Sequence, residues 1–557
     1  MTRYREEKMM LDRMTGARAA IAQLVAEGVT HVFSIPGEHN IALCDAILDF
    51  SQLTYLTGRH EQSIALMANG YSRASHRLAV PLLISGPGVT NALTALGDAY
   101  QDSVPMVAIA ALPAREHLTK GAFHGLKDQS GAIASVAKWS TRADSPAAIP
   151  EAIREAFTRA YQGRPGPTVV EIPLDVQVQT GQVEIYPAQR PTPLAADGDA
   201  VKAAIEQLLA AKAPLVYVGR GATISGAGDR LRQLAERLNA PCFHTALAKG
   251  ILSADHPLNV SWGNGRSDFI AQLVACSDAV LVVGSSLDYA DAGRLGLNFP
   301  KTLIQIDTCP EVLGRAYPLA IGLLGDANCV LGQLLAELEK QLPVPRSLKP
   351  PSIPSKTTGE TLSVTRHKAE KLETLRSTSA WQYMQAIQQA ISDETLIFGD
   401  PARCNGWGVA FIDRNLPNTY HCSRNFCTLG YAFSAAMGAK LAQPERQVLA
   451  MLGDGGMLFA NGDLATAVQY GINIVAVVFN DNCYGSIRRS QRQNFGRTIG
   501  IDLKNPDFCV MARAFGLQAW QVDRPQQLTE AITRGWEISK PVLIEIVMTP
   551  NDPGFEI

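Results

Sequence analysis

Residues 451–489 decide the fold of this chain and read MLGDGGMLFANGDLATAVQYGINIVAVVFNDNCYGSIRR. An apolar run ends in Gly453-Asp454-Gly455, a stretch compatible with a helix follows, and a second apolar run ends in Asn480-Asp481-Asn482. This order predicts two parallel strands joined by a crossover helix. Parallel neighbours end at the same edge of a sheet, where open α/β sheets bind ligands. We therefore expect Asp454 and Asp481 to lie close together and to share one metal ion.

The two acidic turns suit a magnesium ion that also holds a phosphate. Magnesium takes about six oxygen ligands and is usually bound by one or two carboxylates together with a ligand's phosphates. Gly453, Gly455 and Gly456 leave room for an anion, and the amides that open the next helix point towards it. A diphosphate is the expected occupant. The alternative is an ordinary strand-to-helix turn in which Asp454 caps the helix.

The stretch resembles the GDG…N(D/N)N signature of the thiamine-diphosphate enzymes related to acetolactate synthase. The resemblance implies that Asp454, Asp481 and the carbonyl oxygen of Cys483 hold the metal. Asparagine is frequent at the second metal position of the family, so Asp481 adds a formal negative charge. The cofactor-binding residues implied here are Gly453, Asp454, Gly455, Gly456, Asp481, Cys483, Tyr484 and Gly485.

Length and charge limit the class of protein. A chain of 557 residues predicts three or four domains, and a net charge of −2 argues against nucleic acid or an anionic membrane as partner. The ten cysteines show no short metal-binding spacing and suit a reducing compartment. The mixed-charge N-terminus is not a signal peptide, and no segment is apolar enough to span a membrane. We expect a cytoplasmic enzyme.

The first region, residues 1–185, alternates helical and strand patterns. Strands are expected at 29–34, 79–84, 104–111 and 167–172, which predicts a doubly wound parallel sheet. The segment SGPGVTNALTALGDAYQDSVPMV, from Ser85 onwards, resembles the family, and Thr90 or Asn91 is expected to cap its helix. We interpret its role as structural.

Glu61 is the first candidate catalytic residue. By its position it is equally a favourable partner for the dipole of the helix that it opens. RHEQSIALMANGYSR, which contains Glu61, resembles the family's RHE…A…GYAR segment, whose glutamate hydrogen-bonds the cofactor's pyrimidine ring. The resemblance implies that this carboxyl, kept protonated by apolar surroundings, activates the cofactor.

Glu38, His39 and His124 are candidate acid–base groups. Glu38 and His39 follow the turn at the end of the first strand, so they would face the same edge as Glu61. In relatives this turn and the Phe123-His124 pair line the substrate pocket. At the corresponding pair, acetolactate synthases carry Phe-Gln and pyruvate decarboxylases carry His-His. This chain, with Phe-His, has neither pair. The histidines suit proton transfer near neutral pH, and solvated surface positions are the alternative.

Cys427 and Leu429 precede the opening stretch. Leu429 matches the bulky apolar residue that props the cofactor in its bent V form in the family, and the alternative is a core leucine. The carbonyl of Cys427 would accept a hydrogen bond from the cofactor's amino group. Arg488 and Arg489 either bind a substrate carboxylate or form a solvated face, and the solvated face is favoured.

The central region, residues 195–342, again predicts parallel strands, at 214–219, 279–284 and 302–307. In acetolactate synthases the corresponding domain holds FAD, and HTALAKGILSADHPL, QIDTCPE and LLGDA resemble its segments. Gly219-Arg220-Gly221 lacks the third glycine of a dinucleotide fingerprint. The family's arginine-bearing stretch is replaced by residues 284–289, GSSLDY, which removes a bidentate partner for the FAD diphosphate. We predict weak or absent FAD binding.

Residues 343–378 are rich in Pro, Ser and Lys and predict a linker, with an exposed helix at 365–376. Residues 379–557 predict a third parallel α/β domain, with strands at 395–400, 448–452, 472–479 and 542–547. The expected architecture is therefore three doubly wound parallel-sheet domains, which we interpret as pyrimidine-binding, central and diphosphate-binding.

The resemblance covers nearly the whole chain and implies a thiamine-diphosphate- and magnesium-dependent enzyme that decarboxylates or carboligates 2-oxo acids. The product of carbon dioxide loss is either protonated or added to a second carbonyl compound. It also implies a homodimer or homotetramer whose active sites lie at the dimer interface, with Glu61 from one subunit and Asp454 from another. The alternatives are a lyase or hydrolase of acyloins or cyclic diones, and a catalytically inactive cofactor-binding scaffold.

Overall fold

The structure of the chain is a computed structural model. It describes residues 12–118, 120–261, 268–347, 352–354, 361–363, 373–548 and 553–555. Much of the expected linker, including most of its expected helix, lies outside these residues. The chain divides into two compact units: unit 1 comprises Met1–Pro191, Asn425–Glu445 and Phe459–Ile472, and unit 2 comprises Thr192–Arg424, Arg446–Leu458 and Asn473–Ile557.

Unit 1 is built on a six-stranded parallel sheet of order β3-β2-β4-β5-β7-β6. Its strands are β2 (His31–Ser34), β3 (Thr54–Thr57), β4 (Val80–Leu83), β5 (Met106–Leu112), β6 (Trp139–Arg142) and β7 (Pro167–Pro173). A separate antiparallel pair joins β1 (Asp12–Thr15) to β8 (Thr180–Val183). Strands β4, β5 and β7 are buried along their whole length, as expected for a parallel sheet covered on both faces.

The helices of unit 1, numbered along the whole chain, are α1 (Gly16–Ala26), α2 (Ile41–Ile47), α3 (Glu61–Ser75), α4 (Pro87–Gln101), α5 (Gln129–Ala134), α6 (Ile149–Tyr161), α7 (Leu174–Val178), α15 (Tyr431–Ala442) and α17 (Asp463–Gln469). Helices α3 and α15 pack with backbones in contact. A Cβ on Gly70 would lie 1.9 Å from the carbonyl oxygen of Ala435, and one on Gly438 would lie 1.8 Å from that of Met67. Only glycine permits this approach.

The first sheet of unit 2 has the parallel order β10-β9-β11-β12-β13. Its strands are β9 (Pro214–Val218), β10 (Cys242–His244), β11 (Ala279–Val283), β12 (Thr302–Asp307) and β13 (Ile321–Leu324). Its helices are α8 (Gly198–Ala210), α9 (Arg220–Ile224), α10 (Gly228–Leu238), α11 (Asp268–Cys276) and α12 (Ala327–Gln341). The side chains of Asp197 and Asp326 cap α8 and α12.

The second sheet of unit 2 has the parallel order β17-β16-β18-β19-β21-β20. Its strands are β16 (Leu396–Gly399), β17 (Tyr420–Cys422), β18 (Val448–Gly453), β19 (Val475–Asn480), β20 (Gln518–Val522) and β21 (Val542–Val547). Its helices are α13 (Ser379–Ala390), α14 (Arg403–Phe411), α16 (Asp454–Phe459), α18 (Gly485–Phe495), α19 (Phe508–Phe515) and α20 (Pro525–Trp536). A short hairpin pairs β14 (Ser352–Pro354) with β15 (Thr361–Ser363).

The expected fold class is confirmed: three parallel sheets with flanking helices form three α/β domains. Strands β18 and β19 are parallel neighbours, with Gly453 opposite Phe479, as the opening stretch predicts. The expected single crossover helix is instead two helices, α16 and α17, because the turn at Asn461-Gly462 separates them. Within the described ranges, none of the helices combines the length and the apolar character that a membrane crossing needs.

Candidate active site

Glu61 is the first residue of α3, which begins just beyond the carboxyl end of β3. Glu61 is 8% exposed, and its Oε2 accepts a hydrogen bond from Nδ2 of Asn91 at 2.9 Å. A Cβ on Gly88 would lie 3.6 Å from Oε1, so glycine at position 88 leaves space beside that oxygen. Asn91 thus holds one of the two carboxyl oxygens.

Asn91 reaches Glu61 because α4 starts earlier than the sequence predicts. We expected Thr90 or Asn91 to cap this helix, and that expectation is wrong, since α4 begins at Pro87. Proline is favoured at the first helical position because its missing N–H and fixed φ suit it. Asn91 therefore lies in the second turn of α4, from which its amide contacts Glu61.

His39 and His124 come together at the same end of the unit 1 sheet, with ring centroids 5.6 Å apart. Nδ1 of His39 lies 2.7 Å from Oγ of Ser85, and that hydroxyl donates to the carbonyl oxygen of His124 at 3.2 Å. Since the serine hydroxyl has one hydrogen, Nδ1 of His39 must donate to it. Nε2 of His39 is then the atom that can take or release a proton.

Burial, followed by the charge of His124, lowers the pKa of His39, while the charge of Glu38 raises it. The histidine is 5% exposed, whereas Glu38 is exposed. A histidine in this setting is neutral near pH 7 and can act as a base or, once protonated, as a strong acid. Of the two residues in this turn, the structure buries His39 and leaves Glu38 at the surface.

His124 is held in an unusual conformation. Its φ is +54°, in the left-handed region that a histidine seldom adopts. The contact that fixes it comes from Gly86, where a Cβ would lie 2.2 Å from the carbonyl oxygen of His124. Nδ1 of His124 is buried and has no hydrogen-bond partner among the described residues. Strain and an unpaired buried nitrogen at one residue favour a functional role.

Cys427 and Leu429 also belong to unit 1, immediately before α15. Cys427 has a φ of +58° and is exposed, and Leu429 is half-buried. Nε2 of Gln62 donates to the carbonyl oxygen of Leu429 at 3.3 Å. Gln62 follows Glu61 in the chain, so one residue ties the start of α3 to the Leu429 turn.

In unit 2 the two acidic turns meet at the carboxyl end of β18 and β19. Asp454 is 3% exposed; its Oδ1 accepts from the amide of Gly455 at 2.8 Å, and its Oδ2 accepts from the amide of Cys483 at 3.1 Å and from Nδ2 of Asn505 at 2.7 Å. Burial raises the pKa of Asp454, and the charge of Asp481 raises it further. Two mutually repelling buried carboxylates are the arrangement that a divalent cation stabilises.

Two arginines contact Asp481. Its Oδ2 lies 2.5 Å from Nη2 of Arg403 and 3.4 Å from Nη2 of Arg488. The favoured interpretation of Arg488 as part of a solvated face is wrong, because its side chain is 8% exposed. Burial nevertheless raises the pKa of Asp481, although both arginines lower it.

The glycines of this edge bring the turns into direct contact. A Cβ on Gly455 would lie 2.7 Å from the ring of Tyr484, one on Gly456 2.1 Å from Oδ2 of Asp400, and one on Gly485 2.6 Å from Nε of Arg403. Side chains larger than hydrogen would therefore fill the edge. Two carboxylates, a guanidinium and closely approaching backbone form a donor set that fits a magnesium diphosphate.

Comparisons with known proteins agree with this geometry. Three family models match the chain, described as the N-terminal TPP binding domain, the central domain and the C-terminal TPP binding domain of thiamine pyrophosphate enzymes, at residues 14–132, 201–334 and 400–546. A probable 2-ketoarginine decarboxylase of Pseudomonas aeruginosa is 33% identical over 96% of this chain and 94% of its own. The chain belongs to the thiamine pyrophosphate enzymes.

Other relatives in the family are synthases. A probable acetolactate synthase large subunit of Methanocaldococcus jannaschii is 30% identical over 97% of this chain and 93% of its own. An acetolactate synthase of Bacillus subtilis is 30% identical over 99% of this chain and 96% of its own. This thiamine pyrophosphate enzyme therefore uses thiamine diphosphate in the decarboxylation or carboligation of 2-oxo acids, which confirms the predicted cofactor and reaction class.

The switch point of the central sheet lies between β9 and β11, where strand order reverses. There the amide of Gly221 donates to the carbonyl oxygen of Gly284 at 2.8 Å, and a Cβ on Gly284 would lie 2.4 Å from the amide nitrogen of Ala222. The glycines thus let the turns after β9 and β11 approach each other closely. Weak or absent FAD binding stays a prediction.

Sequence reasoning missed several residues that orient the candidate groups of the enzyme. Four of them lie just beyond a strand or in the first turns of a helix, and the fifth is Asn505: Gln62, Ser85, Asn91, Arg403 and Asn505. Position alone would have identified Ser85 and Arg403, which follow β4 and β16 closely. Asn505 lies in a loop, and no local signal in the sequence indicates it.

Proposed function

We propose that this enzyme removes carbon dioxide from a 2-oxo acid and delivers a proton to the carbon that lost it, giving an aldehyde. One observation carries the proposal: His39 and His124 stand 5.6 Å apart at the same sheet edge that presents Glu61. A synthase that adds a second carbonyl compound must keep proton donors away from that carbon, whereas a decarboxylase needs one there.

Bound thiamine diphosphate supplies the electron sink into which the bond to carbon dioxide breaks. Asn91 fixes Oε2 of Glu61, so Oε1 is the oxygen that would be left to hydrogen-bond the pyrimidine ring of bound cofactor. Ser85 fixes the tautomer of His39, so Nε2 is the atom that delivers the proton. Leu429, carried by the turn that Gln62 holds, presents an apolar side chain against which the cofactor bends.

Magnesium is part of the proposal, held by Asp454, Asp481 and the carbonyl oxygen of Cys483. The support is the pair of buried carboxylates at neighbouring strand ends, together with the family resemblance. Arg403 is placed to neutralise charge beside the metal. FAD is not part of the proposal, because residues 284–289, GSSLDY, carry no arginine that could pair with its diphosphate.

The assay follows carbon dioxide and carbon-bonded products from pyruvate, from 2-ketoarginine, which the relative's name suggests, and from an acyloin. The expected result is carbon dioxide with one equivalent of aldehyde from a 2-oxo acid. His39→Gln should lower the aldehyde yield about tenfold or more while Ser75→Ala, at the far end of α3, does not. Carbon–carbon bonded product in place of aldehyde, or cleavage of the acyloin alone, would refute the proposal.

We further propose a homodimer or homotetramer in the cytoplasm, with each active site built from Glu61 of one chain and Asp454 of another. None of the ten cysteines, all of which lie in the described ranges, forms a disulfide, which suits a reducing compartment. Glu61→Gln and Asp454→Asn should each abolish turnover. Mixed and re-associated, the two inactive variants should recover about a quarter of the activity, since half of random dimers are mixed and each has one intact site. A mixture that stays inactive, although size-exclusion chromatography shows mixed dimers, contradicts shared sites.

A further inference from the structure

Asp463 is a buried carboxylate that the proposed reaction leaves without a role. It is the first residue of α17 and is 2% exposed. Its Oδ2 accepts a hydrogen bond from Oγ of Ser434 at 2.5 Å, and Ser63 is a second hydrogen-bond partner. Ser63 lies two residues after Glu61 on α3, and Ser434 lies in the first turn of α15, just after Leu429. One side chain therefore joins the starts of both helices.

The hydroxyl of Ser434 faces two acceptors and has one hydrogen. Besides Asp463, the carbonyl oxygen of Gly430 lies 3.3 Å from Oγ. When Asp463 is ionised, the hydroxyl hydrogen belongs to the carboxylate. When Asp463 is protonated, its own O–H can donate to a serine, and Ser434 is released to the Gly430 carbonyl. The protonation state of Asp463 therefore decides whether the hydroxyl of Ser434 bonds to the carboxylate or to the carbonyl oxygen of Gly430, the residue next to Leu429.

We infer that ionised Asp463 is a positioning residue, which pins the start of α3 against the start of α15 and so sets the placement of Glu61 and of Leu429. The inference rests on the proposed roles of those two residues. The rest of the helix contact is rigid, because α3 and α15 touch through glycine at Gly70 and Gly438. Movement at their shared end is thus controlled by hydrogen bonds at Asp463 and at Gln62.

The groups that face Asp463 favour opposite protonation states. Burial raises its pKa to about 6, while Ser434, Ser63 and the charge of His60 lower it. Its position in the first turn of α17 also favours the ionised form. Arg59, two residues before α3, donates to Oε1 of Gln469, the last residue of α17, at 2.5 Å, and Glu61 follows His60 in the chain. Helix α15 brings no charged side chain in its first two turns.

The test measures kcat and KM across the pH range of this titration for the wild type, Asp463→Asn, Ser434→Ala and the control Ser75→Ala. The wild type should lose kcat as pH falls through the pKa of Asp463. Asp463→Asn should lack this acid limb, with kcat about tenfold or more lower at pH 7.5 and with KM and the thiamine diphosphate Kd changed less than about threefold. Ser434→Ala should move the limb to higher pH, and Ser75→Ala should match the wild type.

A second measurement does not need turnover. Hydrogen exchange of the peptides covering 60–66 and 427–434, corrected for intrinsic rates, should show stronger protection at pH 7.5 than at pH 5 in the wild type. Asp463→Asn should remove that difference. A wild-type acid limb in Asp463→Asn, or equal protection at both pH values in the wild type, would overturn the inference. A wild type with no turnover on any 2-oxo acid would instead refute the proposed function. Hydrogen exchange alone would then test whether Asp463 controls the starts of α3 and α15.

Discussion

Replacing Asp481 by asparagine should destabilise the metal-free protein. The carboxylate is the shared partner of Arg403 and Arg488, whose side chains are 11% and 8% exposed. Removing one member of a buried ion pair generally costs about 3–5 kcal/mol, because the remaining charge stays buried. Asparagine keeps an oxygen that accepts a hydrogen bond, and it relieves the desolvation that raises the pKa of Asp481. We therefore expect a smaller loss of unfolding free energy, about 2–3 kcal/mol.

The measurement is urea unfolding of protein freed of metal and cofactor. Trp407 is a local reporter, since the guanidinium of Arg403 lies 5.6 Å from the centroid of its ring. The same unfolding in a Trp407→Phe background gives the fluorescence of the remaining tryptophans. Subtracting it isolates the transition reported by Trp407. Its midpoint should fall in Asp481→Asn.

Two variants test the reasoning behind this expected loss. Asp502→Asn changes an exposed aspartate in the loop after α18, whose backbone pairs with Cys483, and should stay within about 0.5 kcal/mol of the wild type. Combining Asp481→Asn with Arg488→Gln should recover part of the loss, because one of the two buried cations that face the replaced carboxylate is removed. Asp481→Asn as stable as the wild type, or a double variant less stable than the single one, would refute the view that the two arginines depend on this carboxylate.

Further predictions concern the helix contact and the cofactors. Gly438→Ala should destabilise unit 1 by about 2 kcal/mol or more, because the clash of a Cβ 1.8 Å from the Met67 carbonyl oxygen outweighs a gain of about 1 kcal/mol in helix propensity. Thermal melting measures the loss, with Gly198→Ala, whose Cβ would meet nothing within 4 Å, as the control. An unchanged melting temperature in Gly438→Ala would contradict the contact. Purified enzyme should show no flavin absorbance, and chelation of magnesium should release thiamine diphosphate into the filtrate of a spin column; a flavin band, or cofactor retained after chelation, contradicts the respective assignment.

The strand pattern was predictable because parallel strands covered on both faces are continuous apolar runs. β12 and β21 begin and end where the sequence predicts, and β18 extends one residue further. Short strands such as β6, whose residues are half-buried or exposed, carry too few apolar residues to be recognised. The start of α4 was misplaced because Ser85-Gly86-Pro87-Gly88 reads as a turn, whereas Pro87 begins the helix.

The candidate site was predictable where a residue type and a strand end coincide. Asp454, Asp481 and Glu61 lie at such ends, and the expected adjacency of β18 and β19 follows from their parallel pairing. Partners distant in sequence were not predictable. Arg403 lies 78 residues from Asp481, and Asn505 lies 51 residues from Asp454, so their contacts depend on folding of the whole sheet. The roles of Asp454, Asp481 and Glu61 in binding a cofactor stay predictions.

Charge compensation differs between two buried carboxylates, Asp481 and Asp463. We expected Asp481 to add a net negative charge to the metal site, but two guanidinium groups lie against it, so the charge that a metal meets is smaller than a count of carboxylates indicates. Asp463 has serine hydroxyls as its hydrogen-bond partners, and burial therefore raises its pKa to about 6. An acid whose pKa is raised on folding makes the protein less stable as pH rises through the interval between its unfolded and folded pKa values. Asp463→Asn should remove that loss of stability above pH 6 while it lowers kcat, and this opposition separates a positioning carboxylate from one that merely supports the fold.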